Sequence, residues 1–200
     1  MDESRDEDFY REPRLVTHID DLAINAVTQI YREYFPRGGA ILDLMSSWVS
    51  HLPEDADYGR VVGLGMNRDE LEANLRLTAY VVHNLNHEPE LPFAEAEFDG
   101  AGICVSIDYL TRPVTALRDL GRILKPEAPV VISFSNRCFP TKAIKLWLAL
   151  DDSGHQQLVK HYLTEAGNWT NIALLDRSPG AGSDPLYAVI GRSTGPYRDR

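Results

Sequence analysis

The stretch Leu117–Asn136, LRDLGRILKPEAPVVISFSN, reads as an amphipathic helix, a Lys-Pro turn and a buried strand with a polar end. Val114, Leu117, Leu120, Gly121 and Leu124 recur at helical spacing, so one face of the helix can lie on a sheet. Pro126 cannot continue that helix, because it lacks an N–H and disfavours helical geometry at Lys125. Val130, Val131 and Ile132 form a β-branched run of the kind found in strands covered on both faces. Ser133, Ser135 and Asn136 then set hydrogen-bonding groups at the strand's carboxyl end, where open α/β sheets place their ligands.

The same alternation recurs upstream. Asp20, or Thr17 in a variant of the capping box, can start a helix over 22–34 with Leu22, Ala26, Ile30 and Tyr34 on one face. Pro36-Arg37-Gly38-Gly39 ends it, and Ala40–Leu44 reads as the first buried strand. Further strands are expected over 60–64, 79–83 and 102–107, with Asn67 and Glu70 at cap and third-position spacing after the first of these. Downstream, 142–150 and 155–166 read as helices, the second ended by Gly167. Strands over 171–175 and 186–191 flank SPGAGSDP, a loop short enough for a hairpin. Strands alternating with helices and then a hairpin imply a mostly parallel sheet with one antiparallel strand.

Two hundred residues suit one domain, taken as residues 9–192 between a disordered start at 1–8 and a flexible tail at 193–200. The net charge of −10 disfavours general affinity for nucleic acid or anionic membrane, since both need a basic face. Cys104 falls in an apolar run and Cys138 just after a strand, which suggests a reduced, cytoplasmic chain. The opening MDESRDEDF is too acidic for a targeting peptide, and no apolar run approaches the roughly 20 residues that span a bilayer. The histidines and cysteines show no zinc spacing, and no P-loop or nucleophile elbow is present. The oligomeric state is not legible.

The helix–turn–strand resembles the R-x-L-K-P-G-G segment and following strand of class I S-adenosylmethionine (SAM)-dependent methyltransferases of the type 11 group. The likeness runs over roughly Phe9–Arg192, with Glu127-Ala128 in place of the glycine pair, which favours a turn without a close backbone approach. It implies an α/β fold, a Rossmann-like three-layer sandwich with a seven-stranded, mostly parallel sheet and one antiparallel strand in the order 3-2-1-4-5-7-6. It also implies SAM as cofactor and methyl transfer, for which a small-molecule acceptor is the expectation. A fold that has lost SAM chemistry and serves as a binding or regulatory subunit, or that runs another reaction, is the alternative.

The family's first-strand turn is D-x-G-x-G-x-G, whose glycines let backbone approach the cofactor. Here it is Asp43-Leu44-Met45-Ser46-Ser47-Trp48, so Asp43 matches while Met45 and Ser47 replace glycines. Ser46 could hydrogen-bond a carboxylate; alternatively Asp43 caps a turn and the serines cap the next helix. After the second strand, Gly65 falls where the family places the acidic residue that binds the ribose, leaving Asn67 or Asp69 as substitutes or Asn67 as a plain helix cap. Met66 could pack in the core or stack on adenine. His83-Asn84-Leu85-Asn86, with LPF and FD after it, resembles the adenine-binding run, and Asn84 can accept as aspartate would, or act as a turn former. Ser106, Asp108 and Tyr109 end the fourth strand where cofactor and acceptor meet in the family. Asp108 and Tyr109 are general-base or orienting candidates, unless Asp108 only caps a helix, and Asn136, Arg137 and Cys138 could line the same cleft. His18, with Tyr10 and Arg14, lies in an arm that in such folds often closes over the site.

Overall fold

The computed structural model describes residues 5–197. One sheet of seven strands organises them: β1 (Ala40–Leu44), β2 (Arg60–Gly65), β3 (Ala79–Val82), β4 (Gly100–Cys104), β5 (Pro129–Phe134), β6 (Trp169–Asp176) and β7 (Tyr187–Ser193). Their order is β3-β2-β1-β4-β5-β7-β6. The five strands from β3 to β5 are parallel, and β7 runs antiparallel to both β5 and β6. The expected order, and the hairpin around SPGAGSDP, are both present.

Successive residues of a strand point to opposite faces, and the sequence sorts them into two cores. Val130 and Ile132 of β5, with Leu42 and Ile103, pack beneath α4 (Pro113–Ile123) and α6 (Asp152–Ala166). Val131, with Ile41, Val61 and Ile190, packs beneath α2 (Asp21–Tyr34). These are the three layers. On α2 the buried stripe is Ala23, Val27, Ile30 and Tyr31, and Leu22 is 57% exposed. The face expected from Leu22 and Ala26 is therefore rotated by one residue, because Tyr31 rather than Tyr34 is the aromatic that enters the core. Asp20 is the cap, accepting from the Ala23 N–H at 2.9 Å.

The Lys-Pro turn forms as the residues imply. The Lys125 N–H donates to Phe98 O at 2.9 Å, and Glu127 adopts φ +65° in the family's first-glycine position. Its N–H reaches Ser193 O at 2.8 Å, so the backbones do approach closely despite the missing glycine. On α4, Gly121 admits Asn168, whose Nδ2 lies 2.2 Å from where a Cβ would sit.

Several boundaries differ from the sequence reading. The fourth strand ends at Cys104 rather than Ile107, because Val105 turns to φ +42° and Ile107–Tyr109 form a 3₁₀ turn. Between 142 and 150 only α5 (Lys145–Leu148) is helical. Asp151 caps α6 three residues before the expected start, accepting from the Gly154 N–H. At the start, Asp6–Phe9 form a helical turn, α1, where disorder was expected over 1–8, and residues 1–4 lie outside the described ones. At the end, Ser193 belongs to β7 and Thr194 N–H bonds Asn168 O, while residues 198–200 lie outside the described ones. Among the described residues no helix is long and apolar enough to cross a membrane.

Candidate functional site

A cavity of about 690 Å³ opens at the carboxyl ends of β1, β2 and β4 and beside the segment after β5. That is the crevice in which doubly wound sheets bind ligands, and the volume falls in the range of small-molecule sites. The N-terminal arm covers it through Asp6, Tyr10, Arg14 and His18. Asp6 accepts from Asn86 Nδ2 at 2.9 Å and pairs with Lys142 at 3.2 Å, and Asn84 Nδ2 donates to Glu7 at 2.7 Å. Polar side chains at the ends of β3 and β5 thus tie the arm down.

Of the residues singled out in the sequence, Met45, Ser46, Gly65, Met66, Asn67, Asn84, Leu85, Ser106 and Tyr109 line this cavity. Asp43, Leu44, Asp108 and Asn136 do not. Strand alternation explains the first pair: Leu44 is 1% exposed in the α4–α6 core, and Asp43 points to the α2 face. There Asp43 borders a separate void of about 50 Å³ and accepts from Ser46 Oγ at 2.5 Å and from Ser50 Oγ. Burial raises its carboxyl to about 6, and the two serines oppose the rise. Asp108 is 2% exposed, and burial raises it to about 7 against hydrogen bonds from its own backbone and Tyr109. Its Oδ2 has no partner. Asn136 is exposed.

Backbone geometry accounts for the departures at the cofactor positions. Met45 takes φ +59°, the left-handed conformation a glycine would supply there, at a cost of about 1–2 kcal/mol. Val105, also in the cavity wall, is a β-branched residue at φ +42°. Residues 45–59 contain no helix, so parallel β1 and β2 are joined by an irregular crossover. The serines therefore cap no following helix, and no helix N-terminus faces the cavity from this turn. The crossover instead lies against the end of β2, where Ser46 N–H donates to Leu64 O at 2.8 Å. Ser46 O is 2.2 Å from where a Cβ on Gly65 would be. No acidic side chain can stand at that position.

The substitutes are committed elsewhere. Asn67 donates to Tyr10 O at 2.9 Å and Arg11 O at 3.0 Å, and its Oδ1 accepts from Glu70 N–H at the start of α3 (Arg68–Ala73). Asp69 is exposed and outside the cavity wall. Asn84 Oδ1 accepts from the Asn86 N–H at 2.9 Å and the His87 N–H at 3.3 Å. The Tyr109 hydroxyl accepts from the Phe139 N–H at 2.8 Å, and burial, followed by the Asp108 charge, raises its phenol. Arg137 lines the cavity but pairs with Asp184 at 2.8 Å.

Glu70 is a cavity residue that the sequence reading treated only as helix capping. Its Oε1 accepts from the Arg14 N–H at 2.7 Å and its Oε2 from Ser47 Oγ at 2.6 Å, locking arm to crossover. The capping-box spacing pointed to Glu70, but its carboxylate reaches away from its own helix. Phe139, Lys142 and Lys145 also line the cavity, and no motif marks them. Among the described residues no group of three or more histidine, cysteine or acidic side chains is placed to hold a metal ion.

No family model matches the chain, and no curated protein matches its sequence. Solved structures do match. The [4+2]-cyclase SpnF has a TM-score of 0.64 at 14% identity, over 94% of this chain and 92% of that one. A Haloferax volcanii protein, solved in complex with the Trm112 methyltransferase activator, has a TM-score of 0.62 at 15% identity, over 89% of this chain and 92% of that one. Haemonchus contortus phosphoethanolamine N-methyltransferase 2, solved with S-adenosyl-L-methionine, has a TM-score of 0.59 at 12% identity, over 86% of this chain and 53% of that one. At such identities the likeness defines the fold: the chain has the class I SAM-dependent methyltransferase fold.

Proposed function

We propose that the chain is a SAM-dependent methyltransferase acting on a small molecule. The observation that carries this reading is the cavity, which stands where this fold places cofactor and acceptor and holds about 690 Å³. The residues around it fit a nucleoside-sized ligand held by unusual contacts. Met45, Met66 and Leu85 offer apolar surface, the Met45–Ser46 backbone offers polar groups, and Ser106 is 8% exposed with an unpartnered Oγ. SAM, when bound, supplies a sulfonium methyl group, already a strong electrophile.

The protein's contribution is then chiefly positioning. Tyr109 is the catalytic candidate because it lines the cavity; held protonated by burial, its phenol orients the acceptor rather than taking its proton. Asp108 lies outside the cavity wall and, hydrogen-bonded to Tyr109, is a positioning residue whose carboxyl burial raises to about 7. Asn136, exposed and outside the cavity, has no part in this reading.

A second reading is favoured by Ser46 O filling the space beside Gly65. The ribose acceptor is missing and the turn after β1 leads into no helix, as expected of a fold that has left SAM chemistry for ligand or protein binding. SpnF, of the same fold, is named as a cyclase, and the Haloferax volcanii protein is bound to an activator. Calorimetric titration with S-adenosylhomocysteine separates the readings: saturable binding supports the first, and silence at millimolar ligand supports the second.

A further inference from the structure

Arg14 stands in the cavity wall without an acidic partner for its guanidinium among the described residues. Its guanidinium carbon lies 4.4 Å from the ring centre of Phe9, 5.5 Å from Phe139 and 5.8 Å from Tyr10. Nη2 donates to Phe9 O at 2.8 Å, whereas Nη1 is buried with no hydrogen-bond partner. The neighbouring cations differ, since Lys142 pairs with Asp6 and Arg137 with Asp184. A desolvated guanidinium lacking a counter-charge is unfavourable, and its planar fork matches carboxylate, phosphate or sulfonate oxygens. The cavity as a whole carries four cationic side chains, Arg14, Arg137, Lys142 and Lys145, against the carboxylates Asp6 and Glu70. With Asp184 neutralising Arg137, one positive charge is left in excess among these side chains, in a chain of net charge −10. Ser106 Oγ, buried and unpartnered in the same wall, is a second donor in search of an acceptor.

We infer that the acceptor molecule is a small organic anion whose charged group pairs with Arg14, its apolar body lying against Tyr10 and Phe139 in the cavity wall. This deepens the methyltransferase reading and rests on it for the word acceptor, though the anion site itself does not need SAM. Placement assigns the anion to the acceptor rather than to the cofactor. Phe139 follows β5, on the far side of β4 from Met66 and Gly65, which end β2.

Two fluorescent probes test this: 8-anilinonaphthalene-1-sulfonate, and neutral N-phenyl-1-naphthylamine, which shares its rings but lacks the charge. The full chain should bind the sulfonate at least tenfold more tightly than the Arg14→Gln variant does, with the neutral probe and S-adenosylhomocysteine each changing less than about twofold. Equal losses for both probes, or none for either, overturn the inference. So does a variant that loses S-adenosylhomocysteine but keeps the sulfonate, since Arg14 would then serve the cofactor. Should Arg14→Gln not fold, added salt does the same work on the unaltered chain: it must weaken the sulfonate and spare the neutral probe, and equal responses overturn the inference. A chain that ignores S-adenosylhomocysteine yet discriminates the probes refutes methyl transfer and leaves the anion site standing.

Discussion

Gly65→Ala tests the physical reason given for the missing ribose acceptor. The added Cβ would lie 2.2 Å from Ser46 O and 3.2 Å from Leu71 Cδ2. Carbon and oxygen without a bond between them need more than 3 Å, so the overlap is about 1 Å. Ser46 cannot give way cheaply, because its N–H is bonded to Leu64 O at 2.8 Å and its Oγ to Asp43 at 2.5 Å. Overpacking against anchored backbone costs about 1–3 kcal/mol. At about 2–4 °C per kcal/mol for a chain of this size, the melting temperature should fall by about 2–12 °C. Thermal denaturation followed by circular dichroism, at one pH and protein concentration, reads this directly. An alanine variant within about 0.5 kcal/mol of the unaltered protein would show that Ser46 O is not there. Gly65→Asp should then be tolerated and should tighten S-adenosylhomocysteine, which the account forbids.

Other perturbations follow from the same geometry. Asp43 and Asp108 are raised by burial to about 6 and about 7, so the folded state holds their protons more tightly than the unfolded one. Their contribution to stability is complete below about pH 4 and is lost as pH rises through 6 to 7, by up to about 3–4 kcal/mol for each, as an order of magnitude. His18 and His51, lowered by burial, act in the opposite direction, so urea unfolding between pH 5 and 8 should be compared with an Asp43→Asn, Asp108→Asn double variant. Stability lost on raising the pH should be smaller in that variant, and an unchanged profile would refute the assignment. Glu127→Gly relieves a side chain held at φ +65° and exposed to solvent, and should raise stability by about 0.5–1 kcal/mol in the same assay. Asp20→Ala removes the α2 cap together with the Asp20–Asp184 staple, in which each backbone N–H donates to the other's carboxylate at 3.0 and 2.6 Å. Its expected cost is about 1–2 kcal/mol, and a neutral result would mean the staple is not formed in solution.

The fold was legible because the punctuation in LKPEAPVVISFSN is local: a proline stops a helix, and β-branched residues that alternate between two cores need both faces covered. Asp20, Asn67 and Gly167 were legible for the same reason, as caps. What could not be read was geometry that a residue adopts against its type. Met45, Val105 and Glu127 hold positive φ angles that sequence assigns to glycine, and Val105 shortened the fourth strand accordingly. Only the alternative reading of the serines after β1 had them cap a helix; Ser46, Ser47 and Ser50 instead bond Asp43 and Glu70 and hold the crossover irregular. Nine of the thirteen proposed site residues line the cavity, because strand ends are predictable. Asp43 and Asp108 do not, since which face of a strand or turn a side chain takes is decided by packing. Arg14 and Phe139 come together from 125 residues apart in sequence, and no spacing announces that.

Whether the cavity holds SAM is the claim on which the functional account stands, and titration of the purified chain with S-adenosylhomocysteine tests it most directly. At a hundred times the dissociation constant, a ligand bound only to the folded state adds about 2.7 kcal/mol, so the melting temperature should rise by about 5–10 °C with a matching saturable heat of binding. A flat melting curve and no heat at millimolar ligand would contradict the methyltransferase reading and leave the fold to another use.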